Sequence, residues 1–275
     1  MPHLPDDEAI NMVFKAIALS DKLREELVLK GGNALKKVFH SPRASTDLDF
    51  TDKNPVSNKD QATLEGFLDV FCRELDESLE QLIPDSPYEA FHVQSTKIRP
   101  PNVDFLRSRP AFEIKVGYST RSDREGPYSD HVKLEISLND IVCEDQIHEV
   151  DGGQIKVCSL NDIIAEKLRS LIQQKEAIRD RYRPNDVFDI WFYHTRLKDH
   201  FNYRKIAEFL KKKSALKFDI SFVRKAAFVD EDEIKERARD GFDQIEETVS
   251  GIAFPSFEVA WEEVLTVVER LDIPD

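Results

Sequence analysis

The apolar residues of this chain change their spacing at Ser159, and that change sets what it can fold into. Between Tyr88 and Val157 they recur at every second position, as on a half-buried strand. The alternation predicts strands over 90–98, 112–119, 132–138, 147–150 and 154–158. Turn chemistry lies between them at Gly126-Pro127 and Asp151-Gly152-Gly153. After Ser159 the alternation stops and apolar residues recur at helical intervals, predicting helices over 160–174, 186–197, 203–212, 220–228, 232–238 and 257–271. Before Tyr88 both kinds of signal occur. A helix is expected over 7–27, a short apolar strand at Leu27-Val28-Leu29, a short helix over 33–39 and a strand at 47–50. A long helix is expected over 61–82, with Leu64, Phe67, Leu68, Phe71, Leu75, Leu79 and Leu82 as its apolar stripe and Pro84 past its end. Mixed elements followed by helices alone predict an α+β fold in two parts, 1–158 and 159–275.

The stretch LVLKGGNALKKVFHSPRASTDLDF, residues 27–50, carries the most chemistry. Asp47 and Asp49 alternate on an expected strand, which points both carboxylates to one face while Leu48 and Phe50 point to the other. Two ionised carboxylates so close repel each other unless a cation lies between them, and hard oxygen ligands suit Mg²⁺. Gly31 and Gly32 lack a Cβ, so the backbone there can turn sharply and approach a phosphate. The N-terminus of the next helix would offer that phosphate its free N–H groups. An Asp-x-Asp or a Gly-Gly alone is more often structural than functional. The order strand, glycine turn, helix, strand, with Ser45 ahead of the acids, is far more specific.

Three further stretches bear on this site. In Val132–Leu138, Glu135 shares a face with Lys133 and Ser137; it reads either as the polar side of a half-exposed strand or, beside the Asp47/Asp49 strand, as a third carboxylate. In the helix opened by Ser159, Lys167 falls inside the stripe of Leu160, Ile163, Ile164, Leu168, Leu171 and Ile172, whereas Glu166 and Arg169 lie away from it. A lysine facing inward must snorkel, pair or meet an anion. Asp186 and Asp189 stand at i, i+3 on the helix that follows Pro184. They either favour its positive N-terminal end or, for Asp189, pair with Lys167 or Arg183.

Taken in order, Gly31-Gly32-x-x-Leu35, Arg43-x-Ser45-x-Asp47-x-Asp49-Phe50, Glu166-Lys167-Leu168-Arg169 and Asp186-x-x-Asp189 resemble the AbiEii/AbiGii-type toxin family of the nucleotidyltransferase superfamily, over about residues 27–195. The resemblance implies a nucleotidyltransferase palm, a mixed twisted sheet with flanking helices, followed by a helical C-terminal part that completes the active site. It implies transfer of an NMP from an NTP, dependent on Mg²⁺ (or Mn²⁺), and a toxin role in a toxin–antitoxin or phage-defence pair with a cognate antitoxin. Relatives act on tRNA 3′ ends, so RNA is the expected acceptor. By position, Asp47 and Asp49 would hold metal; where the palm commonly has a third Asp this chain departs from the family with Glu135, which would be a third ligand or weak general base, or else no ligand, the site running with two acids. Ser45, Arg43 and the Gly31/Gly32 backbone would bind nucleotide phosphates. Lys167 would bind phosphate, and Asp186 or Asp189 would orient Lys167 or the acceptor. The same palm could instead serve a small-molecule, antibiotic-type transferase, or a binding protein without activity.

Composition bounds these readings. With 39 Lys plus Arg against 53 Asp plus Glu the net charge is -14, which argues against a general nucleic-acid coat. The basic residues do cluster locally, in 97–109, 179–183 and 211–217, so a small, salt-sensitive RNA footprint remains compatible with the acidity. No apolar run approaches the roughly 20 residues of a membrane span. The N-terminal residues lack a signal-peptide pattern, and three scattered Cys make no disulfide framework, so a reducing cytoplasm is expected.

Overall fold

The computed structural model describes residues 7–53, 61–99, 110–120, 130–151, 153–175, 178, 181–230 and 232–275. The chain divides into two compact units, Met1–Ala34 with Ser45–Cys158, and Leu35–Ala44 with Ser159–Asp275. The expected turn at Gly126-Pro127 and Gly152 lie outside the described residues.

The first unit is built on a mixed seven-stranded sheet. Its strands are β1 (Leu27–Lys30), β2 (Leu48–Asp52), β3 (Tyr88–Arg99), β4 (Ala111–Thr120), β5 (Asp130–Ser137), β6 (Asp145–Val150) and β7 (Gly153–Cys158), in the order β3-β4-β5-β2-β1-β7-β6. β2 runs parallel to β5 and antiparallel to β1, which pairs parallel with β7. The two central strands, β2 and β1, thus come from the glycine and aspartate stretch, far in sequence from their neighbours. Alternation sets the faces: Val132, Leu134 and Ile136 of β5 are buried while Lys133 and Glu135 between them are half-exposed.

Helices α1 (Asp7–Leu19), α2 (Asp21–Glu26) and α4 (Gln61–Leu82) pack with this sheet. The helix expected over 7–27 is broken at Ser20. There the backbone turns extended and the Ser20 hydroxyl accepts a bond from the Leu23 N–H at 3.3 Å, capping a second helix. In α4 the stripe buries Leu64, Leu68, Phe71, Leu75 and Leu79. Phe67, expected in that stripe, is 36% exposed, because it sits at its margin.

The second unit is helical: α5 (Leu160–Gln173), α6 (Pro184–Arg196), α7 (Tyr203–Ala215), α8 (Ala226–Val229), α9 (Asp232–Arg239) and α10 (Phe257–Glu269). The remaining helix, α3 (Gly31–Val38), crosses the division of the chain between Ala34 and Leu35. The helix expected over 220–228 is instead a 3-10 turn at Ile220–Phe222 followed by short α8. Within this unit α5 packs on α7 and α6, and α6 on α10. Residues 42–44 join it by backbone bonds from Ala44 N–H to the Thr248 carbonyl (2.8 Å) and from Ser250 N–H to the Pro42 carbonyl (3.1 Å). No helix among the described residues is long and apolar enough to cross a membrane.

Leu75 is fully buried on α4. Leu75→Ala is expected to lower the unfolding free energy by about 2–5 kcal/mol, read from the urea midpoint of the first transition.

Candidate active site

The sequence places two short strands around one tight turn, and the chemistry collects there. β1 ends at Lys30, and Gly31 follows at φ 70°, in the left-handed region that favours glycine. A Cβ at Gly31 would also lie 2.5 Å from the Asp49 Oδ2, so the missing side chain is what lets this carboxylate lie against the turn. Gly32 continues into the first turn of α3, and Ser45 is half-buried in the segment that leads to the acids.

Asp49 lies on β2, opposite Lys30 of β1 on one side and Glu135 of β5 on the other. Glu135 therefore neighbours the aspartate strand, in register with Asp49. Its carboxylate accepts from Arg99 at 3.0 Å, and Arg99 also bonds Glu113. Asp47, expected on the strand itself, occupies the bend just before it, because β2 begins at Leu48. The two acids are nevertheless electrostatically coupled. Burial first, and then the Glu135 and Asp47 carboxylates, push the Asp49 carboxyl up to about 6 against the opposing pull of Lys30 and Lys133. Lys133 approaches the Asp47 carboxylate at 3.4 Å. Lys30 donates to the Ser137 hydroxyl at 2.7 Å and bonds Asp140.

The oxygen donors and the unfavourable charge on Asp49 fit a hard divalent cation such as Mg²⁺. Among the described residues no group of three His, Cys, Asp or Glu side chains is placed to hold a metal. Asp47 and Asp49 are the two carboxylates that could hold such an ion, its other positions left to water and substrate oxygens, the usual habit of Mg²⁺.

In the helical unit four charges form a buried network. Lys167 is 7% exposed and ion-pairs with Asp186 at 2.9 Å and Asp189 at 2.7 Å. Asp189, fully buried, also accepts a two-pronged contact from Arg43, Nε at 3.1 Å and Nη2 at 2.9 Å. Burial alone would raise the Asp189 carboxyl, but Arg43 and Lys167 hold it below the usual carboxylate range. Burial would likewise lower both cations, and the acids hold them raised: Asp189 foremost for Arg43, Asp186 and Asp189 for Lys167. Of the two pairings open to Asp189, Lys167 is found; the other cation is Arg43 and not Arg183. Arg43, expected to meet nucleotide phosphates, has its guanidinium fork on Asp189. The side chain of Tyr193, on the next turns of α6, donates to the Leu35 carbonyl at 3.0 Å and ties the segment holding Arg43 to the same helix.

Arg169 departs from expectation. It is 4% exposed, not outside the stripe, with its guanidinium on Glu166 (2.9 Å), Gln173 (2.6 Å) and Ser170 (3.0 Å). The basic cluster 211–217 is largely occupied within the protein. Lys213 is buried against Asp162 at 2.7 Å, Lys212 pairs with Glu208, and Lys211 donates to the Asp272 carbonyl. Residues 100–109, 179 and 180 of the other clusters lie outside the described residues. Arg181 and Tyr182 are exposed ahead of α6.

Asp49 yields a prediction whose sign follows from its raised carboxyl. The folded protein holds this proton more tightly than the unfolded chain, so stability falls as pH rises from about 4 through about 6, by on the order of 2–3 kcal/mol. Asp49→Asn should therefore be more stable than the parent near pH 8 in chelator, by about 1–2 kcal/mol in urea unfolding. The gap should close below about pH 4, where both states carry the proton.

Comparison with known proteins places this geometry. The profile of the family described as nucleotidyl transferase AbiEii toxin, type IV toxin–antitoxin system, matches residues 16–263. Similar solved structures include JHP933 of Helicobacter pylori, at 20% identity and TM-score 0.54, covering 97% of this chain and 92% of that one. Another is MenT4, a nucleotidyltransferase toxin of Mycobacterium tuberculosis, at 16% identity and TM-score 0.52, covering 97% and 87%. At such identities these likenesses establish the fold, a mixed sheet with flanking helices. No curated protein matches in sequence. With the profile spanning most of the chain and both motif clusters inside it, the chain belongs to the AbiEii family of toxins and is a nucleotidyltransferase.

Proposed function

We propose that this toxin-family enzyme transfers an NMP from an NTP to RNA, at the 3′ end of a tRNA, and that a cognate antitoxin restrains it. The observation that carries the proposal is the placement of Asp49 against Gly31, where burial foremost, with Glu135 and Asp47, pushes its carboxyl up to about 6, a charge that a bound cation would offset. Asp47 and Asp49 would hold one or two Mg²⁺ (or Mn²⁺), with Glu135 opposite Asp49 as an outer carboxylate engaged by Arg99. The ion would neutralise phosphate charge and bring the reacting oxygens into line.

The chain's own groups would do the rest. The Gly31/Gly32 backbone and Ser45 would cradle the outer phosphates, since a glycine turn allows close approach and the head of α3 presents N–H groups. In the helical unit Lys167, held by Asp186 and Asp189, would be the phosphate-binding cation, while Arg43 is engaged by Asp189. Tyr182 is exposed, with the Arg237 guanidinium 5.6 Å over its ring, an aromatic and a cation of the kind that stack on unpaired bases, which favours RNA as acceptor. The similarity to a toxin named as a nucleotidyltransferase agrees with the toxin role.

Incubation with each α-labelled NTP, total tRNA and Mg²⁺ should label the RNA. Asp47→Ala should reduce that transfer roughly 100-fold or more. Full transfer by this variant would overturn the metal assignment, and label on an added aminoglycoside but not on tRNA would overturn the acceptor.

A further inference from the structure

The two acids of the Asp-x-Asp pair are held by different means. Asp49 is pinned by the sheet, paired in register with Lys30 of β1 and Glu135 of β5. Asp47 has no such support, because residues 44–47 form neither helix nor strand and β2 starts one residue later. A flexible acid beside a fixed one would bind a cation poorly, since the distance between them would vary.

What holds Asp47 is Asn33, the residue after the glycine pair, in the first turn of α3. Asn33 is fully buried, 0% exposed. Its Nδ2 donates to the Asp47 carbonyl at 2.8 Å and to the Ser45 carbonyl at 3.3 Å, gripping the backbone on both sides of Thr46. An amide nitrogen has two hydrogens, so these acceptors use its full donor capacity. The reversed amide would set Oδ1 against two carbonyl oxygens, which fixes the orientation. Oδ1 itself has no hydrogen-bond partner among the described residues, so the side chain is kept for its donors. Only a short carboxamide supplies two donors here: Asp would present oxygen to oxygen, and Thr or Ser a single donor.

We propose that Asn33 is the positioning residue for Asp47: its carboxamide sets where the first acid of the pair stands relative to the second. It thereby sets how tightly the pair holds a divalent cation. The proposal rests on the reading of Asp47 and Asp49 as a cation-binding pair. The glycine turn and the aspartates thus act as one unit, with Gly31 making room for Asp49 and Asn33 fixing Asp47.

The test is Mn²⁺ titration of the full chain followed by electron paramagnetic resonance, without nucleotide, on the parent, Asn33→Asp, Asn33→Ala and Asp47→Ala. Thermal unfolding and label transfer would be measured in parallel. Both Asn33 variants should bind Mn²⁺ roughly 10- to 100-fold more weakly, as loss of an outer support does at metal sites. They should also need proportionately more Mn²⁺ for half-maximal transfer. If Asn33→Asp does not fold, Asn33→Ala, which adds no charge, decides. A structural role alone would lower the unfolding midpoint and leave the Mn²⁺ affinity of the folded protein unchanged, and that result would overturn the proposal. Asp47→Ala separates the two readings. If it binds Mn²⁺ and transfers label like the parent, the cation pair itself is wrong. If it loses both while the Asn33 variants keep both, only the role of Asn33 is wrong.

Discussion

The sheet unit is organised around a buried carboxylate whose charge it does not fully compensate by itself. Asp49 is on a central strand, against a glycine turn, where burial above all, and then Glu135 and Asp47, raise its carboxyl against the pull of Lys30 and Lys133. Several local features follow from keeping that arrangement. Gly31 has to be glycine because of its φ and because a Cβ would collide with the carboxylate. Lys30 is fixed by Ser137 and Asp140, so its charge is held on the strand opposite Asp49 and not drawn fully onto it. A carboxylate kept in so unfavourable a state is a common sign of a functional site, because the missing compensation comes from the ligand.

The helical unit treats charge in the opposite way. Arg43, Lys167, Asp186 and Asp189 are two cations and two anions in mutual contact, and each buried charge has a partner. Asp189 is the hub, since it meets both cations. A buried network of this sort adds little net stability over apolar packing, but removing one member strands the others and is costly. Its effect is to fix orientation: Arg43 belongs to the short segment that returns to the chain's aspartates, and the network binds that segment to α5 and α6.

The periodicity of the apolar residues was legible where one face is buried, as in α4, the β4–β5 strands and α5. It failed where a single side chain decides. Ser20 breaks the expected helix by turning extended and accepting from the Leu23 N–H ahead of it, although the apolar stripe runs on. Arg169 lies outside the stripe by type yet is buried, because Glu166, Gln173 and Ser170 satisfy its guanidinium. The acids, the glycine pair and the inward Lys167 were readable from spacing and charge. Arg43 as partner of Asp189 was not, because 146 residues separate them and nothing local records the contact. Asn33 was hidden differently: it reads as the opening residue of the short helix over 33–39, and only the fold brings it under the carbonyls of Ser45 and Asp47. The lysine run at 211–213 misled in the other direction, since its charges are matched by Glu208, Asp162 and a backbone carbonyl.

In the function proposed above, Asp47 and Asp49, set by the glycine turn, form the cation site of this nucleotidyltransferase. Anomalous diffraction from crystals grown with Mn²⁺ and a non-hydrolysable NTP tests it most directly. An anomalous peak is expected about 2.1 Å from a carboxylate oxygen of each aspartate, with the phosphates over the Gly31-Gly32 turn. A peak held by other side chains, with these two carboxylates still engaged only by lysine, would contradict it.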